Sequence, residues 1–315
     1  MTYEEAAAYL RAHDRYLILS HVRPDGDTIG CAAGLCHTLR QMGKTAYVLE
    51  NPEITASYAP YFEPCLAPAD FVPDCVVAVD AAAPGMLPAN ADAYRERICL
   101  AVDHHPSHEA YAEHTLVDAS CAACGEIIYA LAKELAEVTQ EIALPLYVAV
   151  STDTGCFRYA NTTANSHRVA AALMETGIDA AAANKKHFRT KSKKRMYIEM
   201  ALMENMEFFR EGKIAVASVT RALMDRLGAT EDDADDLAGF PGQIEGVFCA
   251  VTLREMPDGR CRISLRTTAK WVDANRVCAL LGGGGHAAAA GATVPGDAGD
   301  GKRAVLEAID QILDS

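Results

Sequence analysis

The feature that most constrains this chain is a repeated local pattern, a short apolar run that ends in aspartate or histidine. Tyr16-Leu17-Ile18-Leu19-Ser20 leads into His21, with Asp25 and Asp27 close behind. Cys75–Val79 leads into Asp80, Ile98–Val102 into Asp103-His104-His105, and Leu146–Ser151 into Asp153. Such runs are how strands read when a sheet is covered on both faces. Thr45–Leu49 supplies one more. Helical patterns lie at about 2–12, 29–42, 124–137 and 166–176, and Gly43 reads as a helix stop. Alternating strands and helices predict an α/β domain with a parallel sheet. In such sheets ligands bind at the carboxyl edge, where strand order reverses.

A single aspartate after a strand is most often a cap or turn residue, and a single histidine a satisfied structural one. Four strand ends behaving alike point elsewhere, because so many carboxylates would repel one another without cations. The pattern therefore predicts a metal site. Its donors are carboxylate oxygen and imidazole nitrogen with no thiolate, which suits Mn²⁺, with Mg²⁺ or Co²⁺ next, and not a zinc cluster. Asp25 and Asp27 share one loop and can face two ions side by side, with Asp80 as a bridge. Two ions about 3.5–4 Å apart clamp an in-line displacement at phosphorus, and a water between them becomes hydroxide near neutral pH. That hydroxide is the expected nucleophile.

Near residue 185 the composition turns strongly basic, Lys185 to Arg195, and Met196–Phe209 reads as a helix. The expected division is a catalytic domain over 1–185, a basic linker and connecting helix over 186–209, and a smaller α/β substrate-binding domain over 210–315. The basic stretch reads equally as a solvated hinge or as an aid to steering anions. Strands are expected at Ile214–Val219, Val247–Glu255 and Cys261–Arg266, with helices near 273–281 and 301–313. The acidic run Glu231–Asp236 reads as a solvated turn. Gly282-Gly283-Gly284-Gly285-His286 reads either as a flexible linker or as an anion cradle. In the second reading glycine amides approach a phosphate and the following helix start adds its positive end. Arg266 is placed to add a bidentate phosphate contact, the alternative being a surface ion pair.

Composition narrows the function classes. A length of 315 residues suits two domains. The net charge of −14 argues against coating long nucleic acid and leaves room for small phosphorylated substrates. No apolar run reaches the ~18 residues of a membrane helix. The acidic start Met1-Thr2-Tyr3-Glu4-Glu5 is not expected to be a secretory signal. Eleven cysteines scattered through apolar segments fit reduced core residues of a cytoplasmic protein. Cys121 and Cys124 form a CxxC without the second pair a zinc site wants.

Together, His21-Val22-Arg23-Pro24-Asp25-Gly26-Asp27, Asp80, Asp103-His104-His105-Pro106 and Ser151-Thr152-Asp153-Thr154-Gly155 resemble the four motifs of the DHH phosphoesterases. The Gly282–His286 run and Ser264-Leu265-Arg266-Thr267 resemble the DHH-associated carboxy-terminal domain. The resemblance covers nearly the whole chain, and its compact two-domain form is similar to the nanoRNase and pAp-phosphatase group. It implies His21, Asp25 and Asp80 on one metal, and Asp27, Asp80, His104 and Asp153 on a second. It implies Asp103 orienting His104, His105 contacting the scissile phosphate or helping the leaving group, and Arg266, Gly282, Gly283, Gly284, Gly285 and His286 binding a distal phosphate. It also implies an active site in the cleft between the domains. Two positions depart from the family pattern, Cys31 where serine is usual and Ser107-His108 where asparagine is frequent.

The implied activity is metal-dependent hydrolysis of very short oligoribonucleotides and of 3′-phosphoadenosine 5′-phosphate (pAp), in the cytoplasm, with no long duplex and no membrane as partner. The alternative is a phosphodiesterase of cyclic di-AMP or of linear pApA or pGpG. A pyrophosphatase is disfavoured by the glycine run, a non-catalytic sensor by the full motif set, and a long-chain DNA exonuclease by length and charge. A homodimer is compatible with the sequence but not required by it.

Overall fold

Thr2 and Glu5 form a capping box that starts α1 (Tyr3–Ala12), and β1 (Tyr16–Leu19) follows. Asp25 caps α2 (Gly26–Gln41), which leads to β2 (Ala46–Val48), the one-turn α3 (Ala59–Phe62), β3 (Cys75–Val79), β4 (Ile98–Asp103) and β5 (His114–Val117). Then come α4 (Cys124–Leu135), α5 (Gln140–Asp153), α6 (Ala164–Glu175) and α7 (Ala180–Asn184). This computed structural model describes residues 1–234, 237–268 and 270–314. The chain divides into two units, Met1–Thr190 and Lys191–Ser315.

The five strands of the first unit are all parallel, in the order β2-β1-β3-β4-β5. The order reverses at β1 and β3, which makes the carboxyl ends of those two strands the switch point. Tyr16, Ile18, Val77, Val79, Leu100 and Val102 bury one sheet face in a core shared with α2, α4 and α5. Leu17, Leu19, Val76 and Ala78 bury the other face beneath short turns around Leu87 and Ala91.

One expected strand is not there. Leu146–Ser151 lies inside helix α5. Gly26, Gly30 and Gly34, spaced by one turn on α2, let α5 approach closely. A Cβ at Gly30 would meet the Pro145 carbonyl oxygen at 2.2 Å and the Ala149 methyl at 2.7 Å. A helix hemmed in this way is buried all round, so its apolar run shows no period that separates it from a buried strand. The fifth strand is instead β5, whose only fully buried residue is Leu116, too little for a readable pattern.

The second unit runs α8 (Lys193–Glu204), β6 (Glu207–Phe209), β7 (Ile214–Val219), α9 (Arg221–Leu227), β8 (Cys249–Glu255) and β9 (Arg260–Thr267). It ends with α10 (Ala274–Leu280), β10 (Gly284–His286), β11 (Ala289–Pro295) and α11 (Ala298–Leu313). The sheet order is β10-β11-β9-β8-β7-β6, antiparallel except for β7 beside β8. The single helix expected over Met196–Phe209 stops at Asn205, and Glu207–Phe209 pairs with β7 instead.

Two further readings change. No helix follows the glycine run, which turns from the end of α10 into the β10–β11 hairpin. The acidic run is not merely solvated. Glu231 pairs with Arg254, and Asp233 accepts from Ser192 at 2.6 Å; Asp235 and Asp236 lie outside the described residues. Among the described residues no helix is long and apolar enough to cross a membrane.

Candidate metal and active site

The site is built on the switch point. Asp25, as cap of α2, accepts from the Asp27 and Thr28 amides at 3.0 and 3.1 Å. This turns the His21–Asp27 loop back over the end of β1. Asp27, in the first turn of α2, is buried, and its carboxylate takes the amides of Cys124 and Gly125 at 2.7 and 2.9 Å. Those amides are at the start of α4, whose positive end favours the charge. The Cys31 thiol also donates to Asp27, at 3.3 Å, in the place where serine was the family expectation.

Asp80 follows β3 in a left-handed conformation, with φ 55°, and is 2% exposed. Its Oδ2 lies 3.7 Å from His21 Nε2, and its Oδ1 lies 3.6 Å from His104 Nε2. His21 Nε2 is also 3.6 Å from Asp25 Oδ1, and His104 Nε2 is 3.8 Å from both Asp27 and Asp153. All of these separations are too long for hydrogen bonds. They match two donors that share an ion, which at metal distances of about 2.0–2.2 Å lie roughly 3–3.8 Å apart.

Each imidazole is aimed by its other nitrogen. His21 Nδ1 donates to the Val22 carbonyl at 2.7 Å, and His104 Nδ1 faces the Cys121 carbonyl at 3.3 Å, so both present Nε2 inward. Two donor groups result, His21–Asp25–Asp80 and Asp27–His104–Asp153, with Asp80 Oδ1 on the side of the second. A third, Asp80–His104–His105, overlaps them.

The electrostatics are those of a place short of positive charge. Burial, then the charges of Asp27 and Asp25, push the Asp80 carboxyl well above its usual range. Burial and Asp25 raise Asp27 to about 6 even against its amide donors. Burial, with Asp27 next, raises Asp153 to about 7. Asp80 Oδ1 is buried without a hydrogen-bond partner, a costly state for a carboxylate oxygen. Divalent cations would remove that penalty, and the oxygen and nitrogen donors are of the kind that hold them.

Asp103 does something other than expected. It reaches the His104 backbone amide at 2.8 Å but not the His104 ring. Its carboxylate accepts from His105 Nδ1 at 2.7 Å and from His108 Nδ1 at 2.8 Å. Despite burial, these two histidines hold Asp103 below its usual range, while Asp103 raises His105. His108 was legible only as a departure from the family pattern; its role needs the bend that follows β4. Asp153 comes from the carboxyl end of helix α5 rather than from a strand.

In the second unit, the hairpin pairing sets His286, Ala289 and Arg266 in one row across β10, β11 and β9, and Gly284, Gly291 and Ser264 two rows on, on the same face. Three of the four glycine amides are engaged within the chain. Gly282 donates to Ala279, Gly283 to Cys278 and Gly285 to Asn275 Oδ1. What requires glycine here is close approach, since a Cβ at Gly283 would lie 2.1 Å from the Gly291 carbonyl oxygen. Arg266 is exposed, and among the described residues its side chain donates a hydrogen bond only to the Leu265 carbonyl.

Residues 15–150 match the DHH family, N-terminal domain, and residues 211–315 match the DHHA1 domain. A relative in Thermus thermophilus, named bifunctional oligoribonuclease and PAP phosphatase NrnA, is 35% identical, over 94% of this chain and 89% of its own. A Bacillus subtilis protein of the same name is 25% identical over 90% of each chain. The crystal structure of an exopolyphosphatase-related protein from Bacteroides fragilis superposes with a TM-score of 0.89, covering 99% of this chain and 96% of its own at 23% identity, a likeness of fold. By its sequence relatives and its ordered pair of domains, this chain belongs to the DHH phosphoesterase family, in the form that carries a DHHA1 domain.

Proposed function

We propose that the chain hydrolyses phosphate esters in very short oligoribonucleotides and in pAp, using two divalent cations, Mn²⁺ foremost, in the cytoplasm. The observation that carries this is Asp80, whose two oxygens face different donor groups while one of them lacks a hydrogen-bond partner. Residues 1–185 would be the catalytic part, 186–209 the connection and 210–315 the substrate-binding part. His21, Asp25 and Asp80 would hold one ion, and Asp27, Asp80, His104 and Asp153 the other. When bound, such a pair would lower the pKa of water so that hydroxide is available as nucleophile near neutral pH, and would neutralise charge that grows on the phosphoryl oxygens.

The remaining roles fall to the chain's own residues. Asp103 fixes the His105 ring through Nδ1, which leaves Nε2 to meet the scissile phosphate or its leaving oxygen. His108 grips the other oxygen of Asp103, so the carboxylate cannot rotate away. Arg266 and His286, in one row, take a phosphate distant from the cleaved bond. The shared name of the relatives favours this reading over a cyclic-dinucleotide phosphodiesterase.

The test is an assay with EDTA-treated protein and added Mn²⁺ over pAp, dinucleotides, longer oligonucleotides and cyclic di-AMP. Activity should be absent in EDTA, return with Mn²⁺, and be greatest on pAp and the shortest oligonucleotides. A preference for cyclic di-AMP, or undiminished activity in EDTA, would refute it.

A further inference from the structure

The exposed side of β9 that carries Arg266 extends back along the strand. Alternate residues of β9 point to the same side, and Arg260, Arg262 and Arg266 are all exposed, with Ser264 between the last two. Arg260 is committed to Asp258, at 2.6 Å. Arg262 makes no ion pair and donates no side-chain hydrogen bond among the described residues. In the same unit Arg210, Arg221, Arg254 and Arg303 face carboxylates, Arg254 directly across from Arg262, while Arg226, Arg266 and Arg276 share with Arg262 the lack of an ion pair among the described residues. In a chain of net charge −14, an exposed arginine with no ion pair among the described residues is available to an outside anion.

Arg262 also borders a groove. A cavity of about 490 Å³ is lined by Arg260, Arg262, Gly282, Gly283, Gly291 and Thr293. Thr293 pairs with Arg262, and Gly291 with Ser264, so the floor between the two arginines carries only small side chains. The glycine run is thereby shared between two places. Its His286 end lies in the row of Arg266, and its Gly282–Gly283 end borders the groove of Arg262. Four strand steps separate the Cα atoms of the two arginines, roughly 13 Å. That backbone spacing leaves room for Arg266 and Arg262 to take phosphates of different nucleotides of one chain.

We propose that Arg262 and the Gly282–Gly283 groove form a second phosphate subsite, which engages an additional nucleotide of an oligonucleotide chain and sets the length preference of the enzyme. This deepens the function proposed above and rests on it. The subsite is anion-binding and tolerant of base identity, because it offers a guanidinium and a smooth floor rather than a base-reading pocket. pAp, a single nucleoside, cannot occupy both places.

The experiment compares kcat/KM of full-length, Mn²⁺-loaded protein on pAp and on tri- to pentanucleotides. In Arg262→Ala the ratio of trinucleotide to pAp kcat/KM should fall about tenfold, through KM and not kcat. Arg262→Lys should recover most of that loss, and Arg303→Ala, an exposed arginine outside this row, should leave the ratio as it is. Arg262 is exposed, and unchanged thermal melting of Arg262→Ala confirms a folded variant. Equal loss at every length, or no loss, would overturn the subsite alone. Absence of wild-type turnover on the whole series would overturn the proposed function and the subsite with it.

Discussion

At the carboxyl edge of the first sheet, Asp27 and Asp80 are buried among other acids, and one Asp80 oxygen has no hydrogen-bond partner. On β9 of the second sheet, Arg262 and Arg266 stand exposed and make no ion pair among the described residues. Both are places of one charge sign, yet they differ in kind. Buried like charges cannot be solvated, so the first place is energetically incomplete until cations enter. Exposed arginines are solvated and need nothing, so the second place is complete before any ligand arrives. Chemistry should therefore depend steeply on the first and gently on the second.

The steepest test is Asp80→Ala. Losing a carboxylate shared by two donor groups should cut kcat/KM by on the order of 10³ or more. In EDTA the same variant should melt no lower than wild type, since it also removes a buried charge lacking a partner. Near-normal turnover would break the comparison at its first term.

An intermediate effect is expected at Asp103→Asn. The amide cannot accept from both histidines while keeping the same charge, so the rings of His105 and His108 lose their common anchor. Turnover should drop roughly 10–100-fold. Mn²⁺ affinity, followed by calorimetric titration, should change far less. A parallel collapse of metal affinity would mean that Asp103 acts on the ligands themselves.

The gentlest is Arg266→Ala, which should raise KM about tenfold with kcat nearly constant, as for a contact made equally in ground and transition states. The upward shift of melting temperature on adding Mn²⁺ should persist unchanged. A loss of that shift would show that the two regions are not independent.

Most of the acid and imidazole site was readable because its residues sit at sequence positions that secondary structure fixes, the residues just after β1, β3 and β4. The pattern failed at Leu146–Ser151, where a fully buried helix carries no polar face to betray its period, although the glycines four apart on α2 were the trace of its close packing. It also missed the partner of the His104 ring. The Cys121 carbonyl is 17 residues away, and main-chain acceptors leave no mark in side-chain identity. His108 and the arginine row needed, respectively, a bend and a register.

The sequence alone determined the donor chemistry, the parallel sheet, the family and the order of the two domains, because these depend on residue type and local periodicity. Tertiary structure alone decided that Asp153 arrives on a helix, that Asp103 serves His105 and His108, and that Gly282, Gly283 and Gly285 spend their amides on the chain itself. Each of those is a choice among partners distant along the chain. Such choices are settled by packing and strand register, which local periodicity does not encode.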